Sequence, residues 1–342
     1  MQRKPTSFDI AHLAGVSQPT VSRALRGSPT VSPLTRQRIE AIAARLNYTV
    51  DRAASNLRSG RTRTLAALLF HDPSPDDSSV NPFFLAMMGS MMRACADHGH
   101  DLLVSFQQMG SDWHKDYEDS HRADGLILLG YGDYADYKAK LDQLVAQGTH
   151  FVRWGSVQPG EPGLTVGCDN RGGGASAARH LVERGRRRIA FLGDATDHYP
   201  EFRDRYLGCV DALREAGLAV DPALQVHALS SEDDGERAAR ELLARGRPFD
   251  GVVAASDLIA LAAMRVLAGA GSRVPDDVAV VGFDDIPAAG LSNPPLTTVA
   301  QDAGAAGRTL VETLLGRIRE KPVQSKVLPT RLVVRRSTEG RT

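Results

Sequence analysis

From Thr64 to the end of the chain, short apolar runs alternate with stretches of helical spacing, and few folds accommodate that order. The runs are TLAALLF, LLVSF, GLILLG, HFVRW, LTVGC, RIAFLG, GVVAAS and VAVVGF. Helical segments separate them, among them Phe83 to His98, one around Arg205–Ala216, and Leu258 to Ala268. A strand covered by helices on both faces reads as a continuous apolar run. Strands alternating with helices therefore imply parallel sheets in an α/β arrangement. So many units predict two α/β lobes side by side. Ligands of such sheets bind beyond the carboxyl ends of the strands, so a cleft between the lobes is the default site.

The first sixty residues differ in charge and pattern. Up to residue 64 there are eleven lysines and arginines against three acids, a net charge of +8, which leaves −8 for the remainder. A basic end on an acidic body suits a polyanion-binding module fused to something else; a solvated basic face is the alternative. SFDIAHLA (7–14) places Ile10, Leu13 and Ala14 on one helical face. Ser7 can cap that helix, and Asp9 in the first turn complements the dipole. Gly15 ends it. Ser17 can cap a second helix, QPTVSRALRG, in which Pro19 is tolerated in the first turn. A third helix, Leu34 to Leu46, carries Ile39, Ile42, Ala43 and Leu46 on one face. This is the layout of a helix-turn-helix unit. Gln18, Thr20, Ser22 and Arg23 line the second helix, and the amino-terminal end of such a helix meets base edges in the major groove. Arginine suits guanine and glutamine suits adenine. Val21 and Ala24 face the small core instead.

DIAHLAGVSQPTVSRALRG followed by VSPLTRQRIEAIAARLNY resembles the headpiece of the LacI/GalR repressor family. The resemblance implies base contacts from the residues after the capping Ser17, here Gln18 and Pro19, with Arg23 as a further reader. Pro19 offers only shape or an apolar contact. It also implies that DRAASNLRSGRT is a hinge that folds on DNA, where Asn56 and Leu57 reach the minor groove and Leu57 wedges a base step open. Members of the family it resembles usually carry proline where Val50 stands. The likeness spans nearly the whole chain. DN-x-x-G through RIA-x-L-G matches Asp169 to Gly193, R-x-x-G matches Arg205 to Gly208, GFDD matches Gly282 to Asp285, and LTTVAQD matches Leu296 to Asp302. The implied fold is an all-α headpiece plus a two-lobed α/β domain like that of periplasmic sugar-binding proteins.

Several polar residues follow strands: Asp169 and Asn170, Ser256 and Asp257, Asp284 and Asp285, with Arg205 at the start of a helix. Carboxylates and an arginine converging at strand ends can grip vicinal hydroxyls; each acid, taken singly, reads equally well as a helix cap. By the resemblance, Asp169, Arg205 and Asp284 fall where relatives hold their effector. Ser256 stands where several sugar-responsive relatives carry asparagine. Phe83 or Phe84 can pack the apolar face of a sugar or anchor the helix, and core packing is favoured for Trp154.

The expected organisation is a headpiece at 1–50, a hinge at 51–63 and an effector and dimerisation domain at 64–342. The expected function is a repressor. It would bind near-palindromic double-stranded operator DNA as a homodimer, because two-fold protein symmetry selects two-fold DNA symmetry. A small-molecule effector, a saccharide by the cleft chemistry, would control it. A transport-type sugar-binding protein is the competing reading; it leaves the basic headpiece unexplained. An enzyme would need a dinucleotide fingerprint after the first strand, and TLAALLFHDPSP has none. DNRGGGAS likewise lacks a phosphate-binding pattern, and close helix–sheet packing accounts better for Gly172 to Gly174. Cys95, Cys168 and Cys209 lie far apart and His98 and His100 lack a third ligand, so no disulfide framework, metal or cofactor is expected. No apolar signal core opens the chain and no apolar run reaches the roughly 20 residues of a membrane helix; a cytoplasmic protein without membrane contact is expected.

Overall fold

The computed structural model describes residues 5–25, 27–48, 61–70, 80–130 and 132–339. The chain forms two compact units, Met1–Thr62 and Arg63–Thr342. The hinge residues Asn56 and Leu57 lie outside the described residues.

The first unit is three helices, α1 (Ser7–Ala14), α2 (Gln18–Leu25) and α3 (Pro33–Arg45). Thr6, not Ser7, caps α1: its hydroxyl accepts from Asp9 N at 3.4 Å while Asp9 Oδ2 takes the Thr6 N–H at 2.7 Å. This reciprocal box satisfies two donors that a helix start leaves open. Gly15 ends the helix with φ 61°, a left-handed conformation that glycine adopts without strain. The buried face of α1 is Ile10, Ala11 and Ala14. Leu13, expected there, is 48% exposed, and Ala11 is buried in its place. Val21, Ala24, Val31, Ile39 and Ala43 complete the core, with Ile42 and Leu46 packed against it.

The second unit opens with β1 (Thr64–Leu69), α4 (Pro82–Asp97), β2 (Asp101–Phe106), a π-helical turn at His114–Asp119, β3 (Leu126–Leu129), α5 (Tyr134–Ala146), β4 (Phe151–Trp154) and β5 (Leu164–Cys168). A second lobe follows: α6 (Asn170–Glu183), β6 (Ile189–Leu192), α7 (Pro200–Glu215), β7 (Gln225–Val226), α8 (Glu232–Ala244), β8 (Gly251–Ala254), α9 (Asp257–Gly269), β9 (Ala279–Asp284), α10 (Pro287–Leu291) and β10 (Thr297–Gln301). Helix α11 (Ala303–Ile318) returns to pack on α4 and β4. Strands β11 (Lys326–Leu328) and β12 (Thr330–Val333) then finish one sheet each. The sheet orders are β11-β5-β4-β3-β1-β2 and β12-β10-β9-β8-β6-β7. Every neighbour is parallel except β12, which runs antiparallel to β10.

Residues of alternate parity on these strands enter different layers. Leu65, Ala67 and Ile127 join the cluster under α4 with Met87 and Met91, whereas Ala66, Leu68 and Leu126 pack with Trp113, Tyr117 and Leu141 on the other face. Each such Leu or Ile contributes about 1.5–3 kcal/mol by leaving water.

Glycine sets how α6 and α7 meet. A Cβ at Gly174 would strike the Arg205 carbonyl, one at Gly208 would strike the Arg171 carbonyl, and one at Gly173 would lie 2.7 Å from the Phe283 ring. Close helix–sheet packing accounts for Gly173, and helix–helix packing accounts for Gly174 and brings Arg205 against the start of α6; a Cβ at Gly172 would instead meet the capping carboxylate of Asp169. Helix α7 begins five residues earlier than its sequence pattern indicated, at Pro200, whose fixed φ suits a first turn. Arg205 consequently sits in the second turn, one turn beyond Glu201 and on the same face.

Candidate functional site

In the first unit, α2 divides by side. Val21 and Ala24 are buried, Ser17, Pro19 and Arg23 are exposed, and Gln18, Thr20 and Ser22 are half-buried. Ser17 Oγ lies 2.9 Å from Thr20 Oγ1, and Gln18 Nε2 donates to Ser7 Oγ at 3.1 Å, so two of the polar side chains are held in place. The loop from α2 to α3 is fastened by Arg36, which donates to the Gly27 and Ser28 carbonyls at 3.2 and 2.6 Å. The result is a rigid polar edge at the amino end of one helix, on a unit of net positive charge.

In the second unit the side chains past the strand ends of the second lobe converge. Arg205 is 1% exposed. Its Nε donates to Asn170 Oδ1 at 2.9 Å, Nη1 donates to the Ala255 carbonyl, and its guanidinium lies 3.8 Å from the Phe283 ring centroid. Asp284 closes β9 at φ 117°, a strained conformation for a residue with a Cβ. Its Oδ1 accepts from Gln301 Nε2 at 2.5 Å and stands 3.7 Å from Arg205 Nη1, longer than a hydrogen bond. Burial pushes the Asp284 carboxyl up to about 7, against the pull of Arg205 and the Gln301 hydrogen bond. A stacked guanidinium facing a carboxylate of neutral pKa is suited to a ligand that both donates and accepts hydrogen bonds.

The other expected residues lie around this pair in different roles. Asp169 caps α6, with Oδ1 accepting from Gly172 N at 2.8 Å. Ser256 is fully buried; it caps α9 and accepts from Ser230 Oγ at 2.9 Å. Asp257 is also fully buried, accepting from Thr298 Oγ1 at 2.5 Å and Ile286 N at 2.9 Å, and burial holds its carboxyl well above the usual range. Phe83 and Phe84 are buried at the start of α4, Phe83 with its ring centroid 5.7 Å from that of Trp154. Among the hydrogen bonds that cross the cleft are Asn81 Nδ2 to Ser230 Oγ at 3.1 Å, Ser156 to Glu201 and Asp204 at 2.8 and 2.6 Å, and His198 Nδ1 with Asp133 at 2.7 Å. Sequence reasoning missed Asn170 as the partner of Arg205, and missed Glu201, although its place four residues before Arg205 would have shown it once the helix start was right.

A polar-edged helix-turn-helix and a two-lobed domain with a charged cleft together define a DNA-binding regulator with an effector-binding domain. A family model described as "Bacterial regulatory proteins, lacI family" matches residues 8–51, and one described as "Periplasmic binding protein-like domain" matches residues 178–338. The chain belongs to the LacI family of regulators. It is 36% identical to the HTH-type transcriptional regulator CelR of Thermobifida fusca, over 98% of this chain and 99% of the relative. A solved CelR–cellobiose complex superposes with TM-score 0.72 at 34% identity, covering 97% and 99% of the two chains. The lac repressor dimer bound to operator and an anti-inducer superposes with TM-score 0.83 at 25% identity, covering 98% and 99%. Among the described residues no helix is long and apolar enough to cross a membrane.

Proposed function

We propose that this regulator is a homodimeric repressor of a near-palindromic operator and that a saccharide controls its affinity. The observation that carries the saccharide reading is the Arg205–Asp284 pair, buried in the cleft and framed by Phe283, Asn170 and Gln301. Vicinal hydroxyls can donate to the carboxylate while accepting from the guanidinium. Phe83 with Trp154 supplies an apolar wall, with Phe84 behind it, and Asp169 and Ser256 sit at the neighbouring helix starts. The likeness to a protein solved with cellobiose makes cellobiose the first effector to try. Ser17, Gln18, Pro19, Thr20, Ser22 and Arg23 form the reading edge for the major groove, and Asn56 and Leu57 are assigned by sequence to the minor groove.

Selection from random duplexes with the full chain tests the DNA half of this reading at fixed salt, since phosphate contacts make affinity salt-dependent. Enrichment of an inverted repeat, bound by two chains per duplex, is the expected outcome. Enrichment of an asymmetric site bound by one chain would contradict it.

A further inference from the structure

The first-lobe end of the cleft holds polar groups that neither the fold nor the second-lobe pair accounts for. A small cavity there is lined by Phe70, Gln107, Tyr134, Arg153, Trp154 and Glu201. Arg153 is 3% exposed and Gln107 7% exposed, so neither can turn to bulk water. Arg153 stacks over the Tyr134 ring at 5.1 Å, pairs with Glu161 and donates from Nη2 to the Ser156 carbonyl at 3.3 Å. Gln107 Nε2 donates to the Leu68 and Leu129 carbonyls at 2.9 and 3.4 Å. Both side chains are thereby fixed, yet Arg153 Nε, Gln107 Oε1 and Tyr134 Oη have no hydrogen-bond partner. A buried polar atom left unpaired costs about 1–3 kcal/mol, and three around one cavity are a cost that a ligand would relieve.

We infer that Gln107, Tyr134 and Arg153 form a hydroxyl subsite that reads one neutral hydroxyl group of the effector. This rests on the saccharide reading of the same cleft. The atoms set the chemistry. Gln107 Oε1 only accepts, Arg153 Nε only donates and Tyr134 Oη does either. A neutral hydroxyl, like a water molecule, matches both an acceptor and a donor in a cavity of water-like size, and an effector hydroxyl would take the place of a water there. A phosphate would meet the carboxylates of Glu201 and Glu161, and an ammonium would meet the Arg153 guanidinium. Glu201 links the subsite to the second lobe: it lines the cavity, accepts from Ser156 N at 2.8 Å and stands one turn before Arg205 on α7. In this proposal a single effector reaches from this cavity to the Arg205–Asp284 pair, past Glu201.

The test is calorimetric titration of the full chain with cellobiose, with its mono-deoxy analogues and with a phosphorylated cellobiose. Wild type is compared with Gln107→Leu, which keeps the volume and removes the acceptor together with the bonds to the Leu68 and Leu129 carbonyls; Tyr134→Phe, which leaves those bonds in place, is the second variant should that one misfold. On wild type, one deoxy analogue is expected to bind about tenfold more weakly than cellobiose. On Gln107→Leu, cellobiose itself is expected to fall about tenfold and that analogue to lose nothing further. Phosphorylated cellobiose is expected to bind more weakly than cellobiose. Equal losses for every analogue on both proteins, or tighter binding of the phosphorylated sugar, would overturn the subsite. Wild-type binding to no saccharide at all would overturn the saccharide reading itself, and the subsite with it.

Discussion

The two units of this chain reach specificity by opposite routes. The helix-turn-helix unit has a small core: four of the eight buried residues in its cluster are alanines, which contribute little by leaving water. Its proposed reading residues lie on the outside of one helix, contiguous in sequence. The larger unit buries the residues proposed to hold the effector. Arg205 on α7, Asn170 on α6, Asp284 at the end of β9 and Gln301 at the end of β10 meet only because parallel crossovers deliver them to one place. Surface reading suits a duplex that is read from outside, while a buried grip suits a small ligand that must change a conformational equilibrium. An effector acts only through differential affinity for two states, and cross-cleft bonds such as Asn81–Ser230 and Ser156–Asp204 are contacts that lobe movement would break.

Substitutions that strike one unit should leave the other untouched. The largest effect is expected for Arg205→Met, which removes a buried guanidinium while keeping apolar bulk. Sugar affinity should fall about 100-fold, a loss within the 2–5 kcal/mol of truncating a buried charge partner, with operator affinity unchanged in the absence of sugar. Calorimetry and fluorescence anisotropy on the same preparation separate the two. Arg23→Ala should do the reverse, weakening operator binding by about 1–3 kcal/mol with no change in sugar titration. If both affinities fell together in either variant, the division of labour would be wrong.

Two smaller effects sharpen the comparison. Burial raises the Asp284 carboxyl to about 7, and hydroxyls that donate to it favour its ionised form, so binding releases a proton. Sugar affinity should therefore rise as pH goes from 6 to 8, by up to about tenfold per unit where the group is protonated, and Asp284→Asn should flatten the profile. The linked stability has the opposite sense. A carboxyl raised in the folded state stabilises fully below its unfolded value and loses that contribution as pH rises through about 7. An affinity that fell with pH would show that the protonated acid makes the contact. Last, Thr6→Ala removes the α1 cap at a cost of about 1 kcal/mol. In calorimetric scans the headpiece transition should move down and the main transition of the larger unit should stay.

What the sequence made legible follows the same division. The three headpiece helices were readable because their spacing is local, and the proposed reading residues Gln18, Thr20 and Arg23, with Ser17 just before the helix, rest on their order along α2. The apolar runs marked the main strands, but the sheet orders depend on crossovers that no run encodes. The short β11 and β12, with exposed and half-buried residues, carry no such signal. Thr6 rather than Ser7 as cap, and Ala11 rather than Leu13 in the core, are errors of one or two positions where neighbouring residues compete for a role. The cleft was harder. Asp284 and Arg205 could be named, but the Arg205–Asn170 contact depends on the Gly174–Gly208 crossing of α6 and α7, visible in sequence only as small residues, and the 3.7 Å separation from Asp284 depends as well on where β9 ends. Gln107 and Arg153 resembled ordinary polar residues beside strands until burial showed them unpaired.

The central claim is that one chain couples a sugar held by Arg205 and Asp284 to an operator read by α2. The most direct test is anisotropy titration of the full chain against its selected operator, at fixed salt, with and without saturating cellobiose. A sugar-dependent shift in operator affinity of about fivefold or more, abolished in Arg205→Met while sugar-free operator binding persists, is the predicted result. Operator affinity unchanged by cellobiose, although calorimetry shows it bound at this cleft, would contradict the account.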